Sequence, residues 1–182
     1  MTKKLTIIIA LVATIMLLAA CATPADPDPI AENCDYIPAS QFTQEHVGDL
    51  GFVRPSHWAA FLAQLEPHEG VRMEFWDADY YDDQPFFRVQ QLPMEVDELS
   101  LDDLLAQTLD EVELENTTAE IAPIVYPIDA VYISGTNGGM EITEIRFVHN
   151  GWLYAISASH SQYNDEHQSY VISMLQSLGI VE

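Results

Sequence analysis

Two β-rich runs, Glu141 to His149 and Trp152 to Ser159, are separated by Asn150-Gly151. A type I′ turn needs positive φ at both central residues, so Asn-Gly between two such runs predicts a β-hairpin. A short polar gap follows and ends at Asn164, a good N-cap. Beyond it Val171, Met174, Leu175 and Leu178 recur at i, i+3, i+4 and i+7, and Gly179 closes the run. This spacing predicts a helix. Its apolar stripe belongs on the hairpin, because a lone hairpin is only marginally stable in water.

The same pattern reading extends upstream. Ser100 with Asp103 three residues on is a capping-box-like start, and Leu101, Leu104, Leu105 and Val112 form one stripe. A helix is predicted from there to about Leu114. Val71 to Trp76 and Phe86 to Leu92 read as strands joined by the acidic, aromatic loop Asp77 to Gln84. Ile124 to Tyr126 and Ala130 to Ser134 read as short strands about a Pro127-Ile128-Asp129 turn, with Gly135 to Gly139 as the next turn. Gly51 to Trp58 is extended up to a Pro55-Ser56 turn, with Trp58 expected in the core. Ala59 to Leu65 stays open between helix and strand: alanine and leucine favour helix, but Pro67 and Gly70 cut the run short. Strands joined by tight turns pair antiparallel, and two amphipathic helices must each cover a sheet face. The expected class is α+β, an antiparallel sheet sandwiched by helices, with residues 41–182 as one domain.

The start of the chain carries a different pattern. Lys3 and Lys4 precede an apolar run from Leu5 to Leu17, which closes with Leu18-Ala19-Ala20-Cys21. So short an apolar segment with small residues at its end is a secretory signal and not a permanent span. The last four residues look like a bacterial lipobox. That resemblance implies cleavage after residue 20, diacylglycerol on the Cys21 thiol and acylation, typically palmitate, of the new N-terminus. Two or more chains hold a protein stably in a bilayer where one does not. Residues 21–40 are rich in proline and acid, with Pro24, Pro27, Pro29 and Pro38, and read as an extended linker of the polyproline type. The expected location is the extracytoplasmic side of a cell membrane or outer membrane.

Charge narrows the partners. Beyond the signal the only basic residues are Arg54, Arg72, Arg88 and Arg146; set against all 29 acids, these four leave a net charge of −25. Such a surface repels phosphates and excludes nucleic acid as a partner. It suits either a saline or alkaline habitat or a docking face for cationic partners. With Cys21 committed to lipid, Cys34 has no intrachain partner, so no disulfide framework holds the fold.

Several segments together carry a resemblance. Gly51-Phe-Val-Arg-Pro-Ser-His-Trp58 looks like the opening of PsbP-like domains of the Mog1/PsbP superfamily, a glycine and an aromatic followed by spaced proline and tryptophan. Ser100 to Leu105 is similar to the start of their central helix, Ile128 to Gly135 to their mid-sheet hairpin, and Phe147 to Tyr154 with Met174 to Leu178 to their closing strand and helix. The resemblance implies an antiparallel sheet between helices and a binding or scaffolding module with no reaction and no cofactor. The acidity and the lipobox depart from the photosynthetic members.

Candidate chemistry is sparse. Asp77, Asp79, Asp82 and Asp83 lie within seven residues and offer oxygen ligands to a hard cation such as Ca²⁺, although the EF-hand spacing is absent. Tyr80 and Tyr81 stand among them and are candidates for a cationic or sugar-like ligand. His46, His57, His68, His149, His160 and His167 show no i, i+4 pair, no HExxH and no CxxC. There is no GxSxG, and Gly135-Thr-Asn-Gly-Gly139 lacks the lysine of a phosphate loop. The expectation is a lipid-anchored, non-enzymatic binding or scaffolding module at the envelope, held to the bilayer through acylated Cys21, with an envelope protein as the candidate partner. The alternatives are a Ca²⁺- or small-ligand-binding protein and an accessory subunit of an envelope enzyme.

Overall fold

The computed structural model describes residues 41–64, 70–79, 85–94 and 99–181. The lipobox, the linker and Cys34 lie outside these residues, as do Tyr80, Tyr81, Asp82 and Asp83.

The chain forms strands β1 (Phe42–Val47), β2 (Leu50–Pro55), β3 (Ala59–Gln64), β4 (Val71–Trp76) and β5 (Phe86–Pro93), then helix α1 (Leu101–Glu111). Four long strands follow, β6 (Glu115–Val125), β7 (Ile128–Asn137), β8 (Met140–His149) and β9 (Trp152–Ser161), then helix α2 (Asp165–Gln176) and the short β10 (Gly179–Ile180). Seven strands make one antiparallel sheet in the order β3-β4-β5-β9-β8-β7-β6, and β1-β2-β10 make a small one. This is an α+β architecture.

The predicted hairpin is β8–β9. Asn150 and Gly151 both take positive φ, 50° and 77°, so the turn twists with its strands. Helix α2 starts as expected, with the Asn164 side chain accepting from His167 N at 3.1 Å. All four stripe residues, Val171, Met174, Leu175 and Leu178, are buried. The stripe is shared between β9 and β2, because the small sheet packs on the same face of the large sheet as α2. On that face Phe52 of β2 meets Phe75 and Phe87 with ring centroids 5.5 Å away in each case.

Helix α1 covers the opposite face. Ser100 caps it, accepting from Asp103 N at 3.1 Å, and Leu104 is buried against Val131 and Ile133 of β7. The uncovered part of this face is polar. Arg88 Nε lies 2.7 Å and Arg72 Nε 3.5 Å from Glu74 Oε1, Ser157 donates to Glu144 at 2.8 Å, and Arg146 donates to Glu111 of α1 at 2.6 Å. Three of the chain's four arginines therefore share one sheet face. Burial pushes the Glu144 carboxyl above the usual carboxylate range, partly offset by Ser157, Arg146 and Arg88. Arg146 holds Glu111 below that range.

One open reading is resolved and three expectations are corrected. The open run after Trp58 is a strand, β3, because its pairing with β4 overrides the helical preference of alanine and leucine. Helix α1 ends at Glu111, with Val112 already extended. β6 and β7 are far longer than the short strands predicted, running on to the Gly138-Gly139 turn, and Ile128 already belongs to β7. Gly179 does not terminate α2 in a left-handed conformation. Ser177 is the C-cap, and Gly179 pairs with Gly51 across the small sheet.

Candidate functional site

Three turns converge at one end of the molecule. The β1–β2 turn places Asp49, the β6–β7 turn Tyr126 and Pro127, and the β8–β9 turn His149 and Asn150. With Ile128, Ile180 and Val181 they line an open cleft of about 720 Å³, within the usual size of small-molecule sites.

The walls are tied to the frame by hydrogen bonds. Asn150 Nδ2 donates to Asp49 Oδ2 at 2.9 Å, and His149 Nε2 lies 3.7 Å from the same oxygen. Asp49 N donates to the Tyr154 hydroxyl at 3.1 Å, and so does Gln91 Nε2 at 3.1 Å. The buried Tyr154 ring stacks on Phe147 at 4.9 Å. Burial also raises the Tyr154 hydroxyl's pKa above the usual tyrosine range. β10 is held between two turns, since Ile180 N donates to Tyr126 O and Val181 N to Asp49 O, both at 2.9 Å.

Chemically the cleft combines the Asp49 carboxylate with a bare aromatic ring. Tyr126 is 79% exposed although a large ring costs free energy to leave in water, and Val181 is also exposed. Among the described residues no lysine or arginine lines the cleft. A second cavity of about 440 Å³ lies across β10, between Gln44, His46, Phe52 and Ser177.

A second cluster gathers at the end of β4. Asp77 is 5% and His167 2% exposed, with His167 Nε2 3.4 Å from Asp77 Oδ2. His57 Nε2 lies 3.8 Å from that oxygen, and its ring meets Tyr170 at 5.2 Å. Tyr170 donates to Glu166 at 3.2 Å. Desolvation lowers the His167 pKa below the usual histidine range, against the opposing pull of Asp77 and Glu166. This cluster lines neither cavity described above and clamps the end of β4 to α2.

The sequence candidates fall as follows. Asp77 turns inward and also accepts from Asp79 N at 3.1 Å, while Asp79 is exposed. Among the described residues no group of three or more His, Cys, Asp or Glu side chains converges as a metal set. Asp49, Tyr126 and Asn150 were not singled out as ligand residues, because they sit in turns up to 101 positions apart and share no linear motif.

No protein-family model matches the chain, and no curated protein matches it in sequence. Solved structures do. The solution structure of cyanobacterial PsbP from Synechocystis is similar over 82% of this chain and 98% of that one, with a TM-score of 0.54 and 14% identity. The fold is PsbP-like. A crystal structure from Bacteroides thetaiotaomicron matches 74% of this chain at a TM-score of 0.47 and 14% identity, and this chain spans 46% of that protein's length. At such identities the PsbP likeness concerns the fold alone.

Proposed function

We propose that the protein is a lipid-anchored, extracytoplasmic binding module whose PsbP-like domain takes a small organic cation in the cleft between Asp49 and Tyr126. The observation that carries this reading is that an exposed aromatic ring and a carboxylate line one concave site. An aromatic face and a carboxylate both favour a cation. The net charge of −23 draws cations towards the protein and repels anions. Ile128, Ile180 and Val181 would cover the ligand's apolar part. The secretory pattern and Cys21 supply the anchor, and the linker carries the domain away from the bilayer.

Calorimetric titration with choline, spermidine and short lysine-containing peptides, beside neutral sugars, tests the cleft. Binding of at least one cation that is lost in Tyr126→Ala and in Asp49→Asn supports the reading. Equal binding by both variants overturns it, as does no binding by the native protein. The anchor is tested separately: radiolabelled palmitate should enter the native chain and not Cys21→Ala.

A further inference from the structure

Sheet edges invite pairing with another chain, and proteins usually blunt them with charge, proline, bulges or brevity. Three of the four edges among the described residues are blunted in this way. β6 carries Glu115, Glu120 and Pro123 and has two register shifts against β7. β1 carries Glu45 and His46 beside exposed Thr43 and Gln44. β10 is two residues long.

β3 has none of these devices. Its sequence, Ala-Ala-Phe-Leu-Ala-Gln, holds no charge and no proline, and it pairs with β4 over six residues without a bulge. Phe61 is 49% and Leu62 59% exposed. Being adjacent, they point to opposite faces, so an incoming strand would be flanked by an apolar side chain above and below.

We propose that β3 is a homotypic interface, on which a second copy of this chain adds its own β3 antiparallel about a two-fold axis. The register is selected by the neighbouring strand. Phe61 lies opposite Glu74, Leu62 opposite Met73 and Ala63 opposite Arg72 on β4. With the axis at Leu62, one face reads Met73, Leu62, then the second copy's Leu62 and Met73, which is apolar throughout. The other face reads Glu74, Phe61, then the second copy's Ala63 and Arg72. There the large ring meets a small residue, and the row's ends carry opposite charge twice over by symmetry. A guanidinium reaching across alanine also comes within range of the Phe61 ring. With the axis at Phe61, by contrast, two phenyl rings oppose each other between two glutamates. Such like charges and crowded rings disfavour that register.

Two chains of net charge −23 repel each other over distance, and salt screens this repulsion more than the short-range pairing. The dimer should therefore tighten with salt, by about tenfold between about 50 and about 500 mM NaCl. Most surface ion pairs respond in the opposite direction.

The test uses the full chain in density-matched detergent, by sedimentation equilibrium and by oxidative cross-linking in a Cys34→Ser background. The expected results are a salt-promoted dimer in the native chain, its loss in Phe61→Lys and in Leu62→Lys, and a disulfide dimer from Leu62→Cys but not from Phe61→Cys. Circular dichroism confirms that these exposed-site variants fold. A native chain that stays monomeric up to about 1 mM in high salt, a dimer that survives both lysine variants, or cross-linking through Phe61→Cys in preference to Leu62→Cys would overturn the proposal.

Discussion

The Tyr154 hydroxyl lies 3.1 Å from the backbone nitrogen of Asp49, a residue 105 positions away, and accepts its hydrogen bond. The turn that presents the cleft's carboxylate thus hangs on a tyrosine rooted in the sheet core. Tyr154→Phe keeps the ring against Phe147 but strands the Asp49 N–H and the Gln91 amide. Leaving such part-buried groups unpaired costs about 1–2 kcal/mol, the lower part of the range for fully buried ones. Urea denaturation should show a loss in that range, and cation affinity should fall although no ligand contact has been removed.

Gly48 precedes Asp49 with φ +58°, and a Cβ there would sit 2.4 Å from Gln91 Nε2 and 2.6 Å from the Tyr154 hydroxyl. Gly151 is the control, with φ +77° and nothing within 4 Å. Gly151→Ala should cost about 1–2 kcal/mol from the left-handed backbone alone. Gly48→Ala should cost more, because the same strain is joined by a collision. Equal losses in thermal melts would refute the close approach of turn and tyrosine.

A buried histidine and a half-buried glutamate give stability opposite dependences on pH. His167 has its pKa lowered by desolvation, so below about pH 6.5 the unfolded chain binds the extra proton and stability falls. His167→Asn should flatten that slope between neutral pH and mild acid. Glu144 has its pKa raised by burial, so its contribution is full below about 4.5 and is lost as pH rises through the raised value. Glu144→Gln should accordingly raise the melting temperature at neutral pH and leave it unchanged near pH 4.

Leu104 is fully buried between α1 and β7. Leu104→Ala should cost about 2–5 kcal/mol by removing a core side chain and leaving a cavity. Ser100→Ala, at the cap of the same helix, should cost about 1 kcal/mol. Chemical denaturation of the two variants separates the contributions of packing and capping to α1.

Local signals were legible in the sequence where one short segment decided the outcome. Asn150-Gly151 dictated its turn because both residues accept positive φ. The caps at Ser100 and Asn164 formed because their side chains meet free N–H groups. The α+β class followed from the order of these elements, and the PsbP-like architecture was implied by the resemblance of short segments such as Gly51 to Trp58. β3 was not legible, since its conformation depends on pairing with β4 and not on alanine's preference. The full length of β6 escaped notice because its outer half is exposed and shows no apolar alternation. The cleft was hidden for a third reason: each of its turns looks like an ordinary connection until the sheet brings Asp49, Tyr126 and Asn150 together. The acidic loop drew attention through its composition, yet Asp77 turned out to be buried against His167.

Tension on the chain before Gln41 would enter the domain through the small sheet. Gln41 O accepts from Ser56 N at 2.7 Å, and Phe42 faces Pro55 at the start of the β1–β2 ladder. A pull directed across the strands there loads these bonds one after another, as in opening a zip, whereas a pull along β1 would load them together as in shear. β1 would peel away at low force while the seven-stranded sheet, which shares no ladder with it, stayed whole. Under a crosswise pull β1 is therefore the element that gives first, and the large sheet is shielded from tension on the preceding chain.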